Sequence, residues 1–186
     1  AQRRIDDLEA ECAQRRQVED ALRAREDRLS KIMLAVNDGT WDWDLTTNEA
    51  FFDARYYEMA GYAPDAFPHH LQAFQARVHP DDIDAVMDQA QKHLEGKVDR
   101  FRVEFRFKKK AGGWLWVLGR GVIVERDEDG TPLRFVGTHT DITERKRAER
   151  KLERAREELE DKVTARTAEL REANEYLVEE IERRQR

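Results

Sequence analysis

The residues able to build a packed core are confined to one stretch of this chain, and that confinement limits what the chain can fold into. All nine glycines, four prolines, four tryptophans, eight phenylalanines and five histidines lie between residues 39 and 139. The flanks consist almost entirely of Glu, Arg, Lys, Asp, Ala, Leu and Gln, which are helix formers and surface residues. The partition predicts a helical arm over 1–36, a globular domain over 37–143 and a second helical arm over 144–186. Charged residues make up 40% of the 186, too many for one uniformly globular chain, and the two arms account for the excess.

Charge and cysteine usage exclude several classes. The net charge of -6 comes from mixed signs without a strongly basic face, so no nucleic-acid partner is expected. No apolar run approaches the roughly 18 residues that a membrane helix needs, so no membrane contact is expected. A single cysteine, Cys12, rules out an intramolecular disulfide and fits a reducing, cytoplasmic setting. Both ends lie within helical pattern, as expected of a piece of a longer protein.

Within the domain the periodicity changes from helical to strand-like. Asn37-Asp-Gly39 breaks the first arm, and Thr40 to Leu45 alternates so that Trp41, Trp43 and Leu45 share a face. A short second strand spans Glu49 to Phe52. Helical pieces follow over Ala54 to Ala60 and Ala66 to Val78. A longer helix then opens at His79-Pro-Asp-Asp82, with Ile83, Val86, Met87, Ala90 and Leu94 as its buried stripe and Gly96 at its end. Phe101, Val103, Phe105 and Phe107 alternate with charged residues as a half-buried strand. Trp114 to Glu125 returns antiparallel, and Thr131 to Ile142 forms the last strand. Segregated helices with an antiparallel sheet make the class α+β.

Several motifs, in this order, carry a family resemblance: Asn37-Asp-Gly-Thr-Trp-Asp-Trp43, Gly61-Tyr62, Val78-His-Pro-Asp-Asp82, Trp114-x-Trp116-Val117 and Gly137-Thr-x-x-Asp141-Ile-Thr-Glu-Arg-Lys146. Residues 30 to 146 resemble a PAS domain with its PAC portion, of the bacterial sensor type. The resemblance implies a five-stranded sheet in the order 2-1-5-4-3, cupping helices over a ligand-sized pocket. It also implies that Phe135, Gly137, His139 and Asp141 face the pocket, while Val136, Thr138, Thr140 and Ile142 face outward. Phe105, Phe107 and Val103 complete the candidate lining.

Cofactor chemistry is restricted by what the domain lacks. No cysteine occurs between 37 and 143, which excludes a covalent flavin photosensor of the kind found among similar domains. Haem is disfavoured: His93 reads as a surface histidine near a helix C-terminus, where it complements the dipole. His69, His70, His79 and Asp81 match no standard ligand spacing, so capping is expected there and no metal site. His139 is expected either to bind an acidic or polar ligand or to titrate near its ordinary value of about 6.5, with a buried, hydrogen-bonded histidine as the plain alternative. The four tryptophans are expected to pack in the core or on the sheet. The cofactor is therefore unknown.

The arms read as coiled coil. In the first, Ile5, Leu8, Cys12, Leu22, Leu29, Met33 and Val36 form one stripe, interrupted by Arg15, Glu19 and Glu26 at core positions. In the second, Ala148, Leu152, Ala155 and Leu159 keep one heptad register. Val163, Thr167, Leu170, Asn174, Leu177 and Ile181 keep another, offset by one residue. Asn174 at a core position favours a parallel, in-register homodimer. The second arm also resembles the linkers that join PAS domains to histidine kinases or diguanylate cyclases, outputs absent from this sequence. The expected function is a noncatalytic sensor that dimerises, takes a small ligand and relays change through Asp141, Ile142 and Thr143. The alternative is a ligand-free dimerisation spacer.

Overall fold

Alternation of aromatic and charged residues turns the middle of the chain into a sheet. The computed structural model describes residues 14–28, 31, 35 and 37–184, with the side chains of 176–180 and 182 excepted. Five strands, β1 (Gly39–Asp44), β2 (Ala50–Phe52), β3 (Phe101–Lys108), β4 (Trp114–Arg126) and β5 (Pro132–Asp141), pair antiparallel in the order β2-β1-β5-β4-β3. This is the α+β class and strand order expected from the sequence. A helix α1 covers 14–28. Between β2 and β3 lie α2 (Ala54–Glu58), α3 (Leu71–Gln75) and α4 (Pro80–Leu94), and α5 (Thr143–Arg184) follows β5. The chain divides into two units, Ala1–Asp141 and Ile142–Arg186. The stripe positions Ile5, Leu8, Cys12, Leu29, Met33 and Val36 lie outside the described residues.

Short polar caps position the helices. Asp53 accepts from Tyr56 N at 2.7 Å to start α2, and also accepts from Thr40 Oγ1 at 2.6 Å, tying that helix to β1. His79 Nδ1 accepts from Asp81 N ahead of Pro80, which occupies the first turn of α4 without leaving a donor unsatisfied. Asp82 then receives Arg106 N and Nε at 2.8 Å and Nη2 at 2.6 Å, locking α4 to β3. These donors, the Arg106 side chain foremost, hold the Asp82 carboxyl below the usual carboxylate range.

Two helical expectations change. The helix expected over Ala66 to Val78 is only Leu71–Gln75. The chain around Pro68 is extended instead, with Ala50 N donating to His69 O and Glu49 bridging His70, so this backbone pairs beside β2. His93 is not on the surface but buried at 6% exposure, its Nδ1 at 3.0 Å from Val98 O and its ring 5.4 Å from Phe135.

The inner face of the sheet seats the Trp41 ring on glycines. One row crosses all five strands as Phe52, Trp41, Gly137, Gly121 and Phe101. The Trp41 indole lies over the two glycines: a Cβ at Gly137 would come within 2.3 Å of Trp41 Cζ2 and 2.0 Å of Arg120 O, and one at Gly121 within 2.7 Å of Trp41 Cη2. The next row runs Gly39, His139, Gly119 and Val103, so His139 is likewise flanked by glycine on both neighbouring strands. Glycine weakens a strand interior and occurs where something approaches closely; here that is the Trp41 ring at Gly137 and Gly121, the Phe105 and Phe101 rings at Gly119, and the Tyr56 backbone at Gly39. Gly137→Ala should therefore cost about 3 kcal/mol or more by overpacking. Gly130→Ala, in an open turn with φ +84, should cost only about 1 kcal/mol. Urea unfolding of both variants checks this, and equal losses would contradict it.

Candidate functional site

Between the inner sheet face and α2–α4 lies a cavity of about 40 Å³. Trp41 and Trp43 from β1, Phe135 and His139 from β5, and Phe101 from β3 form its sheet wall. Tyr56 of α2, Leu71 and Phe74 of α3, and Val86, Met87 and Ala90 of α4 close the other side. Of the residues expected to line a pocket, His139 and Phe135 do so. Phe105 and Phe107 are buried in the surrounding core, and Val103 is partly buried against it. Gly137 is roofed by Trp41. The helix residues were missed because a helical stripe in sequence does not say which of its members meets which strand.

His139 is the polar residue at the centre. It is 4% exposed, with ring centroids of Tyr56, Phe105, Phe74 and Trp41 at 4.9, 5.2, 5.7 and 6.0 Å. No protein group among the described residues hydrogen-bonds its imidazole, and burial alone depresses its pKa to about 3. The expected titration near neutrality is therefore overturned: an apolar box penalises the imidazolium, so His139 is neutral at physiological pH. Burial also holds the Tyr56 phenol well above its ordinary value, and that hydroxyl stays protonated. Tyr56 Oη, Trp41 Nε1 and Trp43 Nε1 are buried without a partner among the described residues.

This lining is apolar with a few neutral donors. The volume is far below the roughly 300 Å³ at which ordinary small-molecule pockets begin. At this size it does not admit a flavin or haem, and the absence of cysteine from 37–143 bears only on a covalent flavin adduct. His93 is not part of the lining. His70 and His79 cap α3 and α4, while His69 receives Phe52 N at 3.3 Å and stands 3.0 Å from Asp65.

At the joint, Thr140 Oγ1 donates to the buried Asp38 carboxylate at 2.8 Å, joining the end of β5 to the chain entering β1. Asp141 is exposed and stands opposite Val117, Ile142 is buried, and α5 begins at Thr143. Along α5 the apolar residues are open: Leu152 is 72% exposed, Leu159 62%, Val163 57%, Leu170 60% and Ile181 54%. Asn174 is exposed too, as is Leu22 of α1, while the Leu177 side chain lies outside the described residues.

Neutral burial of His139 makes a pH prediction. The unfolded chain takes a proton near pH 6.5 and the folded one only near pH 3. Its contribution is present above about pH 6.5 and lost progressively down to pH 3, at about 1.4 kcal/mol per pH unit. His139→Leu should flatten stability against pH across that window; an unchanged slope would contradict the assignment.

Comparison with known proteins agrees with this geometry. The family described as "PAS fold" matches residues 49–139. The crystal structure of a sensory box histidine kinase/response regulator from Burkholderia thailandensis E264 is similar at TM-score 0.62 and 30% identity, covering 71% of this chain and 97% of that one. The probable diguanylate cyclase DgcE of Escherichia coli K12 is 30% identical over 116 residues, 62% of this chain and 10% of that protein. The methyl sulfide methyltransferase-associated sensor of Methanosarcina acetivorans is 35% identical over 89 residues, 48% of this chain and 9% of that protein. The chain thus spans about a tenth of these two curated relatives.

Proposed function

Because this chain belongs to the PAS-fold family, a sensory domain of signalling proteins that include kinases and cyclases, we propose that it is the sensing and relay module of a larger cytoplasmic protein. In this reading two copies pair in parallel through α5, and the output, a histidine kinase or diguanylate cyclase, lies elsewhere in that protein. The chain itself carries no catalytic step. The observation that carries the reading is the open stripe of Leu152, Leu159, Val163, Leu170 and Ile181 along the 42 residues of α5. A single helix with so polar a surface gains little by folding alone, and a second copy of the same stripe buries both.

The relay runs through the end of β5. His139 borders the cavity, and Asp141, Ile142 and Thr143 follow it directly into α5. The offset between the Leu159 and Val163 registers gives the paired helices two nearly equivalent packings, which a bias of about 1–3 kcal/mol redistributes. Asp141→Ala is the variant that uncouples core from helix while preserving the dimer. A ligand in this scheme is small and uncharged, since nothing in the lining compensates a charge. The small cavity also favours the second reading, in which the domain binds no ligand and serves as a dimerising spacer.

No helix among the described residues is long and apolar enough to cross a membrane. Sedimentation of the full chain should give the mass of two copies, and Leu170→Asp should give the mass of one with the domain's near-ultraviolet dichroism intact. A monomeric parent chain, or a dimeric variant, would remove α5 from the account.

A further inference from the structure

The outer face of the sheet, turned away from α2–α4, carries charge that the fold does not neutralise. Register places two rows on it. In one, Arg102 stands opposite Arg120, Arg120 opposite Thr138, and Thr138 opposite Thr40. In the other, Val122 stands opposite Val136, Val136 opposite Asp42, and Asp42 opposite Phe51. With Arg100, just ahead of β3, these residues line one open depression of about 790 Å³. Asp42 is already taken by Arg134, whose Nε and Nη2 donate at 2.8 and 2.6 Å. The Arg100, Arg102 and Arg120 side chains have no hydrogen bond or ion pair among the described residues.

Like charges directly opposed across antiparallel strands destabilise the pair, so Arg102 and Arg120 weaken the free fold. The apolar row beside them is also open, with Phe51 58% and Val122 46% exposed, whereas Leu118 on the same face is 4% exposed. The uncovered part of the face is therefore the part bearing the arginines. We propose that it docks an acidic amphipathic segment of a partner protein. Carboxylates of that segment pair with Arg100, Arg102 and Arg120 through the planar guanidinium fork, and an apolar side chain settles on Phe51, Val122 and Val136. The apolar row favours such a segment over a nucleic-acid backbone, which would leave it uncovered.

The test titrates the full chain with a fluorescent helical peptide carrying Glu and Leu on one face. A Lys/Leu peptide of the same pattern and a single-stranded oligonucleotide serve as comparators. The acidic peptide should bind with an affinity that falls as salt rises, and the other two should not. Arg120→Glu should weaken the acidic peptide roughly tenfold or more, yet raise the thermal midpoint of the free chain, because it converts a like-charge pair into an opposite one. Arg100→Ala should weaken binding without that rise. Failure of the acidic peptide to bind, tighter binding of the oligonucleotide, or binding unaffected by Arg120→Glu overturns the proposal. A lowered midpoint in Arg120→Glu overturns its premise that the arginines are held at a cost to stability.

Discussion

The domain depends on one packing constraint: the Trp41 indole must lie flat across the middle of the sheet. Trp41 belongs to β1, but Gly137 and Gly121, on the next two strands of the same row, leave the space it occupies. Phe135 meets it edge-on at 4.9 Å and Phe101 at 6.2 Å. Aromatic pairs in this geometry add to the burial of their area. In the row of His139, Gly119 leaves room for the Phe105 and Phe101 rings and Gly39 for the backbone of Tyr56. A ring laid on glycines thus organises the core beside His139, and about 40 Å³ remains open between sheet and helices.

That tightness shapes the signalling account. A neutral imidazole surrounded by aromatic rings, without a protein hydrogen bond among the described residues, is costly to leave as it is. The buried Tyr56 hydroxyl and two indole N–H groups share its situation. In the proposed function such a site responds to small uncharged matter or to repacking, since burial keeps His139 neutral near pH 7. Because interiors packed to this density deform little, the proposed relay passes a change at His139 along β5 instead of absorbing it. Two residues after His139, β5 ends at Asp141, and α5 begins at Thr143.

Much of this was legible in the residues. Strict alternation in Trp41-Asp-Trp43 and Phe101 to Phe107 marked inner and outer faces, and the His79-Pro-Asp-Asp82 start located α4 to within a residue. The ordered motifs, rather than any periodicity, indicated the strand order. Other features were hidden for physical reasons. Gly119, Gly121 and Gly137 read singly as weak points in strands, and their purpose emerges only when register sets them under a ring. His93 looked like a dipole-complementing surface residue because helical position alone does not show that Phe135 covers it. The run after Pro68 looked helical because its pairing partner, β2, is distant in the local pattern. The size of the cavity had no sequence signature.

The central claim is that the packing state of the core sets the pairing of α5. Pulsed electron resonance between spin labels at the exposed Arg171 of two copies measures that pairing directly. The comparison is between the parent chain and Ala90→Val, which fills the cavity from α4. The account predicts a shifted or redistributed inter-label distance in the filled variant. Superimposable distance distributions, with Ala90→Val folded and dimeric, would contradict it.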